Sequence, residues 1–121
     1  MRGFGELESV IMDVMWRWQR PATVRDVVEH LRTSRQIAYT TVMTVMDNLH
    51  RKGWLRRERA GRAYRYESVA SREQHTAGLM REALVGSEDP AAALVHFVAS
   101  MDQSESAALR AALARLEEAA S

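Results

Sequence analysis

The chain has 121 residues, 46% of them hydrophobic, a formal net charge of +1 and no cysteine. Those values exclude a disordered chain, a disulfide-stapled domain and a thiolate metal site, and no apolar run approaches the ~18 residues of a membrane span. The N-terminus lacks the basic-then-apolar layout of a signal peptide, so a cytoplasmic protein without membrane insertion is expected.

The small net charge hides an asymmetry. Residues 1–67 hold 13 Lys/Arg and 8 Asp/Glu, whereas residues 68–121 hold 4 and 8, a balance of +5 against −4. The stretch 51–65 concentrates Arg51, Lys52, Arg56, Arg57, Arg59, Arg62 and Arg65 against Glu58 alone. One end of the chain suits a polyanion and the other a different task, the alternative being a merely solvated basic face.

Leu7, Val10, Ile11, Val14, Met15 and Trp18 recur at helical spacing, which predicts an amphipathic helix over 6–18, closed before Pro21. Thr23 with Asp26 three residues on is a capping signal, and Val24, Val27, Val28 and Leu31 are the buried stripe of a second helix. A polar link, Thr33 to Gln36, leads to a third helix striped by Val42, Val45, Met46 and Leu49 and stopped at Gly53. The last two helices, joined by a short turn, make a helix-turn-helix.

Trp54–Glu58 and Ala63–Glu67 then read as two short strands around a turn at Ala60-Gly61, with Tyr64 and Tyr66 on one face and Arg65 on the other. A hairpin in that place, with arginines at its tip, is a wing. Ser71 with Gln74 caps a fourth helix over 72–85, closed by Gly86. Asp89-Pro90 starts a fifth, striped by Leu94, Phe97, Val98 and Met101. Ser104 is the expected cap of a sixth, in which Leu109, Leu113 and Leu116 alternate beside Ala108 and Ala112. The fold class expected is mainly α with a small β-hairpin: a winged helix-turn-helix head over 1–70 and an α-helical dimerisation tail over 71–121. These last helices need a partner surface, either the head or, as favoured here, the same helices of a second chain.

Removing the buried stripe from the third helix leaves Thr40, Thr41, Thr44, Asn48 and Arg51 on a polar face. Hydroxyls serve phosphate or base, asparagine pairs with adenine, and arginine serves guanine or phosphate. Threonine is a mediocre helix former, so three of them facing outward favour contact over simple solvation. Lys52 suits the DNA backbone, and Arg57, Arg59, Arg62 and Arg65 suit flanking phosphates or a minor groove. The four histidines lack the spacing of a zinc site, the seven methionines read mostly as core, and no phosphate loop or catalytic carboxylate pair appears. Neither a cofactor nor enzymatic activity is expected.

These motifs resemble the penicillinase-repressor family of β-lactamase, methicillin-resistance and copper-responsive repressors. Leu7-Glu8, Ile11-Met12 and Trp16 match its L-E-x-x-V-M-x-x-x-W run; Thr41 to Gly53 is similar to T-V-x-T-L-L-x-R-L-x-x-K-G; Gly61-Arg62-Ala63-Tyr64 with Tyr66 matches G-R-x-Y-x-Y. The resemblance covers nearly the whole chain. It implies a homodimer that represses transcription from inverted repeats of the TACA/TGTA type and dimerises through the C-terminal helices, where the striped Leu94, Phe97, Val98, Met101, Leu109, Leu113 and Leu116 are the expected seam. It also implies release through a membrane sensor protease system that cuts an Asn-Phe pair, whose counterpart here is His96-Phe97. Asn48 stands where many members have arginine, and the absent cysteines set the chain apart from the copper-sensing branch. A ligand-sensing winged-helix regulator released by a small-molecule effector is the alternative, and a winged helix used only for protein interaction is a third.

Overall fold

A computed structural model of the protein describes residues 5–121; the first four residues of the expected 1–70 head lie outside them. The elements run α1 (Glu6–Trp18), α2 (Val24–Leu31), α3 (Tyr39–Arg51), β1 (Leu55–Ala60), β2 (Ala63–Ser68), α4 (Arg72–Val85), α5 (Pro90–Ala99) and α6 (Gln103–Ala120). The chain is therefore mainly helical with one antiparallel hairpin, as expected, and it divides into two compact units, to Leu79 and from Met80.

In the first unit the local signals and the packing agree. The Thr23 hydroxyl accepts from the Asp26 N–H at 3.1 Å while the Asp26 carboxylate accepts from the Thr23 N–H at 3.0 Å, satisfying donors that the first turn of α2 leaves unpaired. One face of α1 (Ile11, Met12, Val14, Met15), one of α2 (Val24, Val27, Val28, Leu31) and one of α3 (Val42, Met46, Leu49) close on each other as the core. Gly53, at φ 83, turns the chain out of α3 in a left-handed conformation that costs glycine little.

The hairpin pairs Leu55 with Ser68 through to Ala60 with Ala63. The turn is thus Gly61-Arg62, one residue later than expected, with Gly61 at φ 66 in the first central position, as a II′ turn requires. Leu55 and Tyr66 enter the core from the inner face. Tyr66 also exchanges backbone hydrogen bonds with Ala22, at 2.9 and 2.8 Å, so the link between α1 and α2 adds a one-residue third strand. At the end of the wing the Trp16 indole donates to the Ala70 carbonyl at 2.9 Å, and the His75 ring lies 5.6 Å from that of Trp16 and 5.2 Å from that of Trp54. Arg72 donates to Asp13 at 2.6 Å, so the first turn of α4 is fastened to α1.

The second unit comprises the end of α4, then α5 and α6. Asp89 caps α5, accepting from the Ala92 N–H at 3.1 Å, with Pro90 in the first turn. The cap of α6 is Asp102, not Ser104: its carboxylate accepts from Glu105 N–H at 2.8 Å and Glu105 answers to the Asp102 N–H at 3.0 Å. That reciprocal box claims the helix start two residues earlier. Helix α5 ends at Ala99, so Met101 lies in the connection rather than on the α5 stripe; its N–H still bonds the Val98 carbonyl at 3.1 Å. No side chain in this unit is buried. Leu94, Phe97 and Val98 are 47%, 48% and 44% exposed, and Leu113 and Leu116 are 52% and 68% exposed, whereas Leu109 and Met101 are half-buried.

Candidate nucleic-acid interface

Burying Val42, Met46 and Leu49 turns the opposite side of α3 to solvent. Thr40, Thr41, Thr44 and Arg51 are exposed there and Asn48 is half-buried. The structure adds three residues to this helix surface. Tyr39 and Met43, 45% and 42% exposed, stand one turn apart at its start, so not every methionine serves the core. Asp47 lies on the stripe with Thr40, Thr44 and Arg51, at spacings of four, three and four.

Asp47 reorganises the expected cluster of cations. Its Oδ2 accepts from Arg51 Nη2 at 2.6 Å and its Oδ1 from Arg57 Nη1 at 3.0 Å. Arg57 also donates to the Tyr66 hydroxyl at 3.3 Å, and its guanidinium sits 4.1 Å from the Tyr64 ring centroid. The hydrogen bond with Tyr66 first, and the Asp47 bond with it, raise the Arg57 guanidinium above its ordinary value against the opposing effect of burial. Arg57 is therefore built into the wing.

Lys52 is likewise engaged. Its Nζ donates to both Glu8 oxygens, at 3.0 and 2.8 Å, joining the end of α3 to α1. Partial burial pushes the Glu8 carboxyl up, but the hydrogen bonds from Lys52 and the Gly5 N–H, with the lysine charge, hold it below its ordinary value.

Strand alternation distributes the remaining arginines. Arg57 and Arg59 share the inner face of the hairpin with Tyr64 and Tyr66, whereas Arg56 and Arg65 share the outer face with Glu58 and Glu67. Arg59 donates to the Gly61 carbonyl at 3.3 Å beside the Tyr64 ring, Arg56 pairs with Glu67 at 3.1 Å, and Arg62 occupies the turn itself. Arg62 and Arg65 form no ion pair among the described residues. The structure thus sets Thr40, Thr44 and Arg51 on one stripe of α3, joins Arg51 and Arg57 at Asp47, puts Arg59 against Tyr64 and Arg62 at the tip, turns Arg65 to the other face, and pairs Lys52 with α1. His96 and Phe97, both exposed, lie within α5. Among the described residues, no group of three or more His, Asp or Glu side chains could hold a metal ion, and no helix is long and apolar enough to cross a membrane.

Three helices packed on a hairpin, with a polar third-helix face and a basic tip, define a winged helix-turn-helix followed by a helical tail. The family model described as penicillinase repressor matches residues 4–115. The chain is also 47% identical over 116 residues, 93% of its length and 84% of theirs, to the "Transcriptional regulator BlaI" of Mycobacterium tuberculosis in strains CDC 1551 / Oshkosh and ATCC 25618 / H37Rv. The chain belongs to the penicillinase-repressor family, a family of transcriptional repressors rather than enzymes. A distant likeness, with a TM-score of 0.48 and 20% identity over 50% of this chain and 95% of the other, is to a solved structure from work on the DNA recognition and protein interaction domains of HOP2; it adds nothing to the assignment.

Proposed function

We propose that this repressor acts in the cytoplasm as a homodimer on an inverted repeat in double-stranded DNA. In this reading α3 enters the major groove and the wing rests on the flanking backbone. The observation that carries it is the exposed stripe of Thr40, Thr44 and Arg51 on α3, joined to the wing through Asp47 and Arg57, with Arg62 at the turn of the wing in no ion pair among the described residues. Threonine hydroxyl and methyl groups read base edges, Asn48 offers an amide to adenine, and Arg59, Arg62 and Arg65 neutralise phosphates. Thr41 borders the same face, and Lys52, half exposed while it bonds Glu8, has donors left for the DNA backbone at the end of α3.

The second unit supports the dimer. Leu94, Phe97, Val98, Leu113 and Leu116 are 44–68% exposed, an apolar surface that a second copy of the same helices would cover. Two heads joined this way present two recognition helices to half-sites one helical turn apart. Release by a sensor protease system at His96-Phe97 is the finer proposal. That bond lies inside α5, so α5 must open locally before an extended-peptide protease can cut it.

Footprinting of the purified protein on the DNA upstream of its own gene tests this. Two protected half-sites about one turn apart are expected; protection without sequence register would overturn specific recognition, and a single protected half-site would overturn the dimer.

A further inference from the structure

Asp47 is out of place on a surface meant for phosphates. A carboxylate there repels the DNA backbone, yet it is the hub of the face, with Arg51 at 2.6 Å on one oxygen and Arg57 at 3.0 Å on the other. The two arms differ. The Arg51 side chain is 71% exposed and can swing away, whereas that of Arg57 is 25% exposed and is fixed by the Tyr66 hydroxyl and the Tyr64 ring. Tyr66 in turn bonds Ala22 through its backbone. A continuous chain of contacts therefore runs from α3 through one carboxylate into the wing and on to the link between α1 and α2.

We propose that Asp47 is the positioning residue of the interface: through Arg57 it fixes the wing against the recognition helix, and it retains Arg51 until DNA takes that arginine over. The inference rests on the DNA-binding function proposed above. Asp47 lowers affinity for any duplex, because it holds a cation that would otherwise meet phosphate, and raises the preference for the correct one, because only there does a correctly spaced helix and wing recover all contacts.

The test is fluorescence anisotropy of the full chain on its footprinted duplex and on a random duplex at several salt concentrations, for wild type, Asp47→Asn, Arg57→Ala and the double variant. Asp47→Asn is expected to bind random DNA more tightly, with a log–log salt slope steeper by about 0.9 as Arg51 takes up one more phosphate. Its specific-to-random ratio should fall at least about tenfold, as should that of Arg57→Ala, and the double variant should be no worse than the poorer single one, as for residues acting through one contact. Arg57→Ala should leave the slope unchanged. Ratios that multiply in the double variant would overturn the clasp, as would a loss confined to one C·G position, which would make Asp47 a base reader. A lowered thermal midpoint with an intact ratio would also overturn it, leaving Asp47 a stabilising residue only. Wild type without preference would overturn the DNA-binding proposal itself, whereas a wild-type preference that Asp47→Asn retains would overturn the clasp alone.

Discussion

Lys52 and Glu8 stand 44 residues apart and meet at 2.8 Å. Their bond has a pH signature. The Glu8 carboxyl is lowered in the folded chain, so the unfolded chain binds more protons across the carboxylate range and stability rises with pH there. The contribution is complete above the unfolded value, near pH ~4.3, and is lost as the pH falls through the lower folded value. Glu8→Gln should cost up to about 1 kcal/mol at neutral pH, and the gap to wild type should narrow as acid protonates the lowered carboxyl. Thermal melts from pH 3 to 7 check this, and a gap that stays constant would contradict it. At the proposed interface, Thr44→Ala should cost about 1–3 kcal/mol on the specific duplex and little on random DNA. Equal losses on both would move Thr44 to a phosphate contact. Of these partners, Asp47 was open to discovery in the sequence, four residues before Arg51 on one helix face. Glu8 was not, because nothing in the local sequence relates α1 to the end of α3.

The elements were most legible where a periodic stripe met a capping pair. Helix α1 over 6–18, the Thr23–Asp26 box and α4 over 72–85 all stand as their residues indicate. Where two capping residues lie close together, the expected start of the helix missed. Ser104 was the expected cap of α6, but Asp102, two residues earlier, forms the reciprocal bond with Glu105 and begins the helix. The hairpin turn shifted by one residue because glycine is needed at the first of two central positions, which makes Arg62 the second. Ala22 shows no strand pattern at all. Its pairing with Tyr66 is a tertiary event, available only once α1 and α2 pack and bring the link to the sheet edge. Thr23→Ala should cost the head about 1 kcal/mol through the lost cap, read from urea unfolding; an unchanged midpoint would show that core packing alone sets the start of α2.

At the scale of the whole molecule, the charge asymmetry and the burial asymmetry coincide. The half with a balance of +5 contains every buried core residue, and the half with −4 contains α5 and α6, whose apolar residues are open to water. The proposed function uses both: the basic head meets DNA and the tail meets its own copy. Leu113→Asp should dissociate the dimer by placing a charge in its seam, read as a halved mass in sedimentation equilibrium with an unchanged helical signal. An unchanged mass would remove α6 from the seam. The most direct measurement is fluorescence anisotropy of wild type on its own upstream DNA against a random duplex across a salt series. A preference of about a thousandfold or more, with a log–log salt slope of about −5 to −9 from roughly 6–10 phosphates per dimer, is the expected result. Weak, equal binding to both duplexes would contradict specific recognition and reduce the wing to an electrostatic patch.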